Sequence, residues 1–113
     1  MKINALLMTL FLTACAHRDQ GRLPLFQALA IGTKPVLSDC LVRGFATLPV
    51  AVLREQGGAT DIISVRFDQA VRSEVRLTTI ATGQVSAAVY EDHGPWQYSQ
   101  AVSARISTCL QAR

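Results

Sequence analysis

Residues 50–91 read VAVLREQGGATDIISVRFDQAVRSEVRLTTIATGQVSAAVYE, and this stretch decides the fold. Apolar side chains recur at every second position, the period of a strand with one buried face. Strands are expected at residues 50–55, 61–67, 74–81 and 84–91. Ile63, Val65 and Phe67 share one side of the second, Val75, Leu77 and Thr79 one side of the third, and Val85, Ala87 and Val89 one side of the fourth. Gln56-Gly57-Gly58-Ala59 and Thr82-Gly83 read as turns, because glycine supplies the positive φ that tight hairpins need. Residues 68–73 read as a loop. Consecutive strands joined this way form an antiparallel meander, and such a sheet can leave one face to solvent.

On both sides of the meander the period changes to that of a helix. In residues 35–48, Val36, Leu37, Cys40, Leu41 and Phe45 fall on one face. Pro35 suits a first turn, Pro49 ends the element, and Gly44 is a weak position costing about 1 kcal/mol relative to alanine. After Gly94-Pro95, residues 96–110 place Tyr98, Ala101, Val102, Ile106, Cys109 and Leu110 on a second stripe, with Arg105 at its edge. Each apolar stripe needs a layer to bury it. The expected class is α+β: a two-layer sandwich of order α-β-β-β-β-α. A four-stranded antiparallel meander carries both helices on one face, and residues 35–113 make one domain.

The chain begins MKINALLMTLFLTAC. Lys2 precedes about a dozen apolar residues, fewer than the ~20 that cross a bilayer, which is the layout of a cleaved signal peptide over residues 1–14. Its end, Leu12-Thr13-Ala14-Cys15, resembles the lipobox of bacterial lipoproteins. The resemblance covers the leader alone. It implies cleavage before Cys15, acylation of Cys15 (diacylglyceryl and then an N-linked chain such as palmitate), and a lipid-anchored tether over residues 15–34. With Ala16 rather than Asp after the cysteine, it implies the outer membrane, facing the periplasm. Three chains on one cysteine would anchor durably, since each buried methylene contributes about 0.8 kcal/mol. Two other readings stand beside it: ordinary cleavage at Ala14-Cys15-Ala16, and a buried core helix. Within the tether, Leu25, Phe26, Leu29 and Ala30 fall at helical spacing before Gly32. That segment reads as a short helix on the domain edge, or as a contact strip for a partner or for the bilayer surface.

If Cys15 carries lipid, the other two of the three cysteines, Cys40 and Cys109, are an even pair in an oxidising compartment. Both lie on apolar helix stripes. A disulfide is then expected, the alternative being two free buried thiols. Closing about 70 residues contributes roughly 4 kcal/mol in the chain-entropy model.

The chain has 113 residues, a net charge of +3 and 17% charged residues, which fits one small folded domain and not a disordered chain. Nine of the eleven basic residues are arginine, and they are scattered. With no basic run and no zinc spacing, a nucleic-acid partner is not expected. Cofactors are not expected either.

Candidate chemistry is sparse. His17 stands in the tether without a fixed neighbour. Glu91-Asp92-His93 combines two carboxylates with an imidazole and offers a metal- or acid/base-dependent enzyme reading, although a polar turn before a helix gives the same residues. No G-x-S-x-G elbow or phosphate loop occurs. The sharper candidate is a binding face. Strand alternation puts Arg54, Arg66 and Arg76 opposite the apolar side, with Tyr90 nearby. Such guanidiniums recognise carboxylates or phosphates. Trp96, the single tryptophan, either caps the core or is an exposed anchor. The expected function is a non-enzymatic, lipid-anchored envelope protein that binds a protein or cell-wall component through Arg54, Arg66, Arg76, Tyr90 and Trp96. The other readings are an inhibitor of a wall-degrading enzyme and an exclusion lipoprotein.

Overall fold

The computed structural model describes residues 23–92 and 94–111. Seven elements follow one another: β1 (Phe26–Ile31), α1 (Lys34–Phe45), β2 (Ala51–Glu55), β3 (Thr60–Phe67), β4 (Ala70–Ala81), β5 (Gln84–Glu91) and α2 (Ser99–Gln111). The strands form one antiparallel sheet in the order β1-β5-β4-β3-β2. The class is α+β, with five strands rather than the expected four. The signal segment, Cys15, His17 and His93 lie outside the described residues.

The additional strand is β1, and it corrects the helical reading of the segment around Leu25. Phe26, Ala28 and Ala30 lie opposite Val89, Ala87 and Val85 on the core side. Leu29 and Ile31 lie opposite Ser86 and Gln84 on the other side. Because Leu29 and Ile31 on the outward side are as apolar as the inward set, with Gln27 the single polar residue, a period of two leaves little trace, and the helical spacing of Leu25, Phe26, Leu29 and Ala30 is accidental. The folded unit therefore begins before Pro35, at Phe26.

A second correction concerns residues 68–73. Phe67 pairs with Ala70, so only Asp68 and Gln69 form the turn, and β4 starts at Ala70. Both turn residues have positive φ, 58° and 65°. That is the type I′ requirement, met here without glycine. Arg72 is the extra residue of a bulge between the Val65–Ser73 and Arg66–Val71 pairs.

Both helices lie on one side of the sheet. α1 packs over β2, β3 and β4, and α2 over β1. Leu37, Leu41 and Phe45 of α1 meet Val102, Ile106 and Cys109 of α2 above Ile63, Val65, Val75, Leu77, Val85, Ala87 and Val89, all buried. A large aliphatic side chain buried this way contributes about 1.5–3 kcal/mol. The helices are cross-linked by Cys40–Cys109, whose Cα atoms are 5.7 Å apart. One turn further along, a Cβ on Gly44 would stand 3.3 Å from the Cβ of Arg105. The position that reads as a weak point in α1 lies against Arg105 of α2, and glycine leaves room for that side chain.

Two stability predictions follow from this geometry. Replacing Cys40 and Cys109 together by alanine is expected to cost about 4 kcal/mol, read as a lower urea midpoint. Gln69→Gly removes a side chain from a left-handed position and is expected to stabilise the domain by about 1 kcal/mol, read as a higher midpoint at unchanged slope.

Candidate binding face

Among the described residues no element covers the side of the sheet opposite the helices. The strand registers fix which side chains stand on it. One row across the sheet runs Leu53, Ser64, Glu74, Tyr90. The next runs Glu55, Ile62, Arg76, Ala88, Gln27. A third contains Thr60, Thr78, Ser86 and Leu29, with the Thr60 and Thr78 hydroxyls 2.9 Å apart. Arg66 stands on the same side near the end of β3, opposite Ala51.

Three of the five residues expected on a binding face are therefore together on one side: Arg66, Arg76 and Tyr90. Arg76 lies over the Tyr90 ring, its Cζ 5.1 Å from the centroid, and its Nε is 2.5 Å from Glu74 Oε2. The ring and the carboxylate hold the guanidinium in place. Glu74 is itself buried on this face. Arg66 is exposed, and its side chain makes no hydrogen bond or ion pair among the described residues. Arg76 is level with Ile62, so Arg66 is four residues further along β3, about 13 Å away along the strand. The Arg76 guanidinium leans from its own row toward the Glu74–Tyr90 row, which lies between the Arg76 and Arg66 positions on the same face.

Arg54 is not on this face. It pairs across from Ile63, on the helix side, and its Nη1 donates to Asp39 Oδ1 of α1 at 2.7 Å. The sequence misplaced it because Val52 and Leu53 are both apolar, so β2 can be read with either inside. Trp96 is also elsewhere. It joins Phe67 and Tyr98 in an aromatic cluster packed against the core, with ring centroids 5.3–6.0 Å apart. Its Nε1 is buried without a hydrogen-bond partner among the described residues. The packing role, not the exposed anchor, is the one this geometry provides.

The Glu91-Asp92-His93 segment is represented by its two acids. Glu91 accepts a hydrogen bond from Ser99 Oγ at the start of α2. The Asp92 amide donates to the Arg72 carbonyl at 2.8 Å. These contacts pin β5 to the first turn of α2 and to the bulge.

A polar cluster the sequence did not single out ties α1 to the β2–β3 hairpin. Lys34 and Ser38 are one turn apart on α1, and both reach Asp61 of β3. Ser38 Oγ donates to Oδ2 at 3.3 Å, and Lys34 Nζ is 3.7 Å from Oδ1. The same ammonium donates to the Gly58 and Ala59 carbonyls at 3.1 Å each. Asp61 is only 4% exposed, so its charge depends on these two partners. The available signal was Ser38, a hydroxyl on the otherwise apolar stripe between Leu37 and Leu41. Ser38 is fully buried, which makes this a clamp and not a nucleophile site.

Lys34→Met leaves the Asp61 carboxylate with Ser38 alone and is expected to cost about 2 kcal/mol. Adding Asp61→Asn to that variant is expected to recover part of the loss, both changes being read from urea denaturation.

No protein-family profile matches the chain, and no curated protein matches its sequence.

Proposed function

We propose that this chain is a non-enzymatic, lipid-anchored protein of the bacterial cell envelope, held at the outer membrane through Cys15 and facing the periplasm. In this reading it binds a protein or a cell-wall polymer through the open sheet face. The Leu12-Thr13-Ala14-Cys15 lipobox supports the anchor. The Cys40–Cys109 bridge supports an oxidising compartment.

The observation that carries the binding reading is the uncovered sheet face with Arg66 free on it and Arg76 held against Tyr90 and Glu74. An immobilised guanidinium loses little further freedom when it meets an anionic group. Two arginines on one face suit a partner that carries more than one anionic group, such as an acidic protein or the carboxylates of peptidoglycan stems.

The test uses the full chain, tagged at its C-terminus and made with its own leader. Mass spectrometry of the membrane-extracted protein is expected to give an acylated Cys15 and two hydrogens fewer for Cys40–Cys109. Cross-linking in membranes and sedimentation with isolated cell walls then compare the wild type with Arg66→Glu, Arg76→Glu and Arg54→Glu. The first two are expected to weaken capture of the same partner by about tenfold each, the loss of one charge-assisted contact. Arg54→Glu, on the other side of the sheet, is expected to leave capture unchanged. Equal capture by all four proteins would sink the open-face reading.

A further inference from the structure

Exposed aliphatic side chains are concentrated at one end of the described chain. Leu23 (85% exposed), Leu25, Leu29 (66%), Ile31 (66%) and Val36 stand between positions 23 and 36, with Leu53 and Ile80 the other two such residues among those described. Leu29 and Ile31 stand on the open side of β1, which has β5 along one edge and, among the described residues, no strand along the other. Residues 23–33, LPLFQALAIGT, carry no charge. The β1–β5 register runs unbroken from Phe26 to Ile31, without a bulge.

Edge strands exposed to water ordinarily carry charges, proline or a bulge, because an apolar flat edge pairs with other chains. The opposite edge of this sheet follows that rule. β2 is short, and carries Arg54 and Glu55, with Arg54 tied to Asp39. Beyond Pro24 just before it, β1 carries no charge or bulge, and its position in the chain indicates what covers it. Leu23 is eight residues after Cys15. Eight residues span at most about 28 Å, so an acylated Cys15 keeps Leu23, the near end of this strip, within that distance of the bilayer. Arg18 and Arg22, with Asp19 between them, give the connecting segment a positive balance, complementary to anionic headgroups.

We propose that Leu23, Leu25, Leu29 and Ile31 form a second membrane contact, seating the β1 edge on the lipid surface that holds Cys15. The proposal rests on the lipid-anchor reading and adds an orientation to it. The contact is at the boundary of headgroups and acyl chains, where the side chains reach the acyl region and water still reaches the unpaired backbone groups of β1. A second copy pairing β1 against β1 would cover the same edge, but a six-residue strand offers a small interface. The bilayer is within reach of every copy at any concentration. Leu29 and Ile31 stand on the open side of the sheet, so the seating tips the β1 end of that face toward the lipid, and β3 with Arg66 is three strand spacings, about 14 Å, further along it.

The test is lipid quenching of a single tryptophan. The full chain, made with its leader and extracted from membranes, carries Trp96→Phe, which removes the buried unpartnered Nε1, together with either Leu29→Trp or Leu53→Trp. Each protein is placed in vesicles of phosphatidylethanolamine and phosphatidylglycerol with brominated acyl chains. The Leu29→Trp protein is expected to show blue-shifted emission and to lose most of it to the bromines. The Leu53→Trp protein, altered at the far edge, is expected to keep its emission. A blue shift without quenching indicates a second copy on β1 and overturns the proposal, as does unshifted, unquenched emission. Equal quenching of both proteins overturns the edge-on orientation. The mass of Cys15 separates the two layers of the argument. An unacylated cysteine removes the anchor reading and the seating with it, whereas an acylated cysteine with an unquenched Leu29→Trp protein overturns the seating alone.

Discussion

Two helices cross-linked at Cys40–Cys109 cover one side of a five-stranded sheet, and this one-sidedness governs the rest of the molecule. A domain of this size has one core, and here that core is the single layer between helices and strands. Every strand must therefore commit one set of alternate side chains to it. The bridge closes a separation of 69 residues, tying the element after β1 to the last helix. It holds α1 over the β2–β4 half and α2 over the β1 half. Gly44 and Lys34 support the same arrangement at the two ends of α1, one by letting Arg105 come close and one by gripping Asp61 and the hairpin carbonyls.

The one-sided core also explains what could be read in advance. Where one parity is apolar and the other polar, as in DIISVRF, EVRLTTIA and QVSAAVYE, the strands and their inner faces were legible. So were the two cysteine-bearing helix stripes, because each must find the same layer. The signal fails where parity carries no contrast. In β1 only Gln27 breaks the apolar run on the outward side, so the strand looked like a fragment of helix. In β2, Val52 and Leu53 compete for the inside, and choosing the wrong one moved Arg54 across the sheet. The start of β4 was hidden differently. Asp68 and Gln69 both take positive φ without the glycine that normally marks such a turn.

The candidate face was legible in the same partial way. Arg66, Arg76 and Tyr90 lie in strands of clear parity and stand on one side as expected. Their relation to one another was not readable, because it depends on register and on the bulge at Arg72. Register separates Arg66 from Arg76 and places Glu74 beside Arg76. A row of three free guanidiniums thus becomes one free arginine and one held between an aromatic ring and a carboxylate. Aromatic content misled in a similar way at Trp96. A lone tryptophan after Gly94-Pro95 fits an exposed anchor as well as a core cap. The nearby Phe67 and Tyr98 make it part of a cluster.

The two edges of the sheet differ in a way the core does not require. Burial would be served equally if β1 carried polar residues at Leu29 and Ile31, since neither side chain enters the core. Nothing in folding alone selects aliphatic side chains there, and solubility selects against them. The opposite edge, equally exposed, carries Arg54 and Glu55. An asymmetry that folding does not need and solubility opposes has to be sought in the surroundings of the β1 edge. Sequence position supplies the surroundings: the apolar edge is the one joined to Cys15 by eight residues, and the charged edge is the one furthest from it across the sheet. An anchor alone leaves a tethered domain free to tumble. In the proposed reading, a second apolar contact at the β1 edge would turn such a tether into an orientation, with β3 and Arg66 at the far part of the same face.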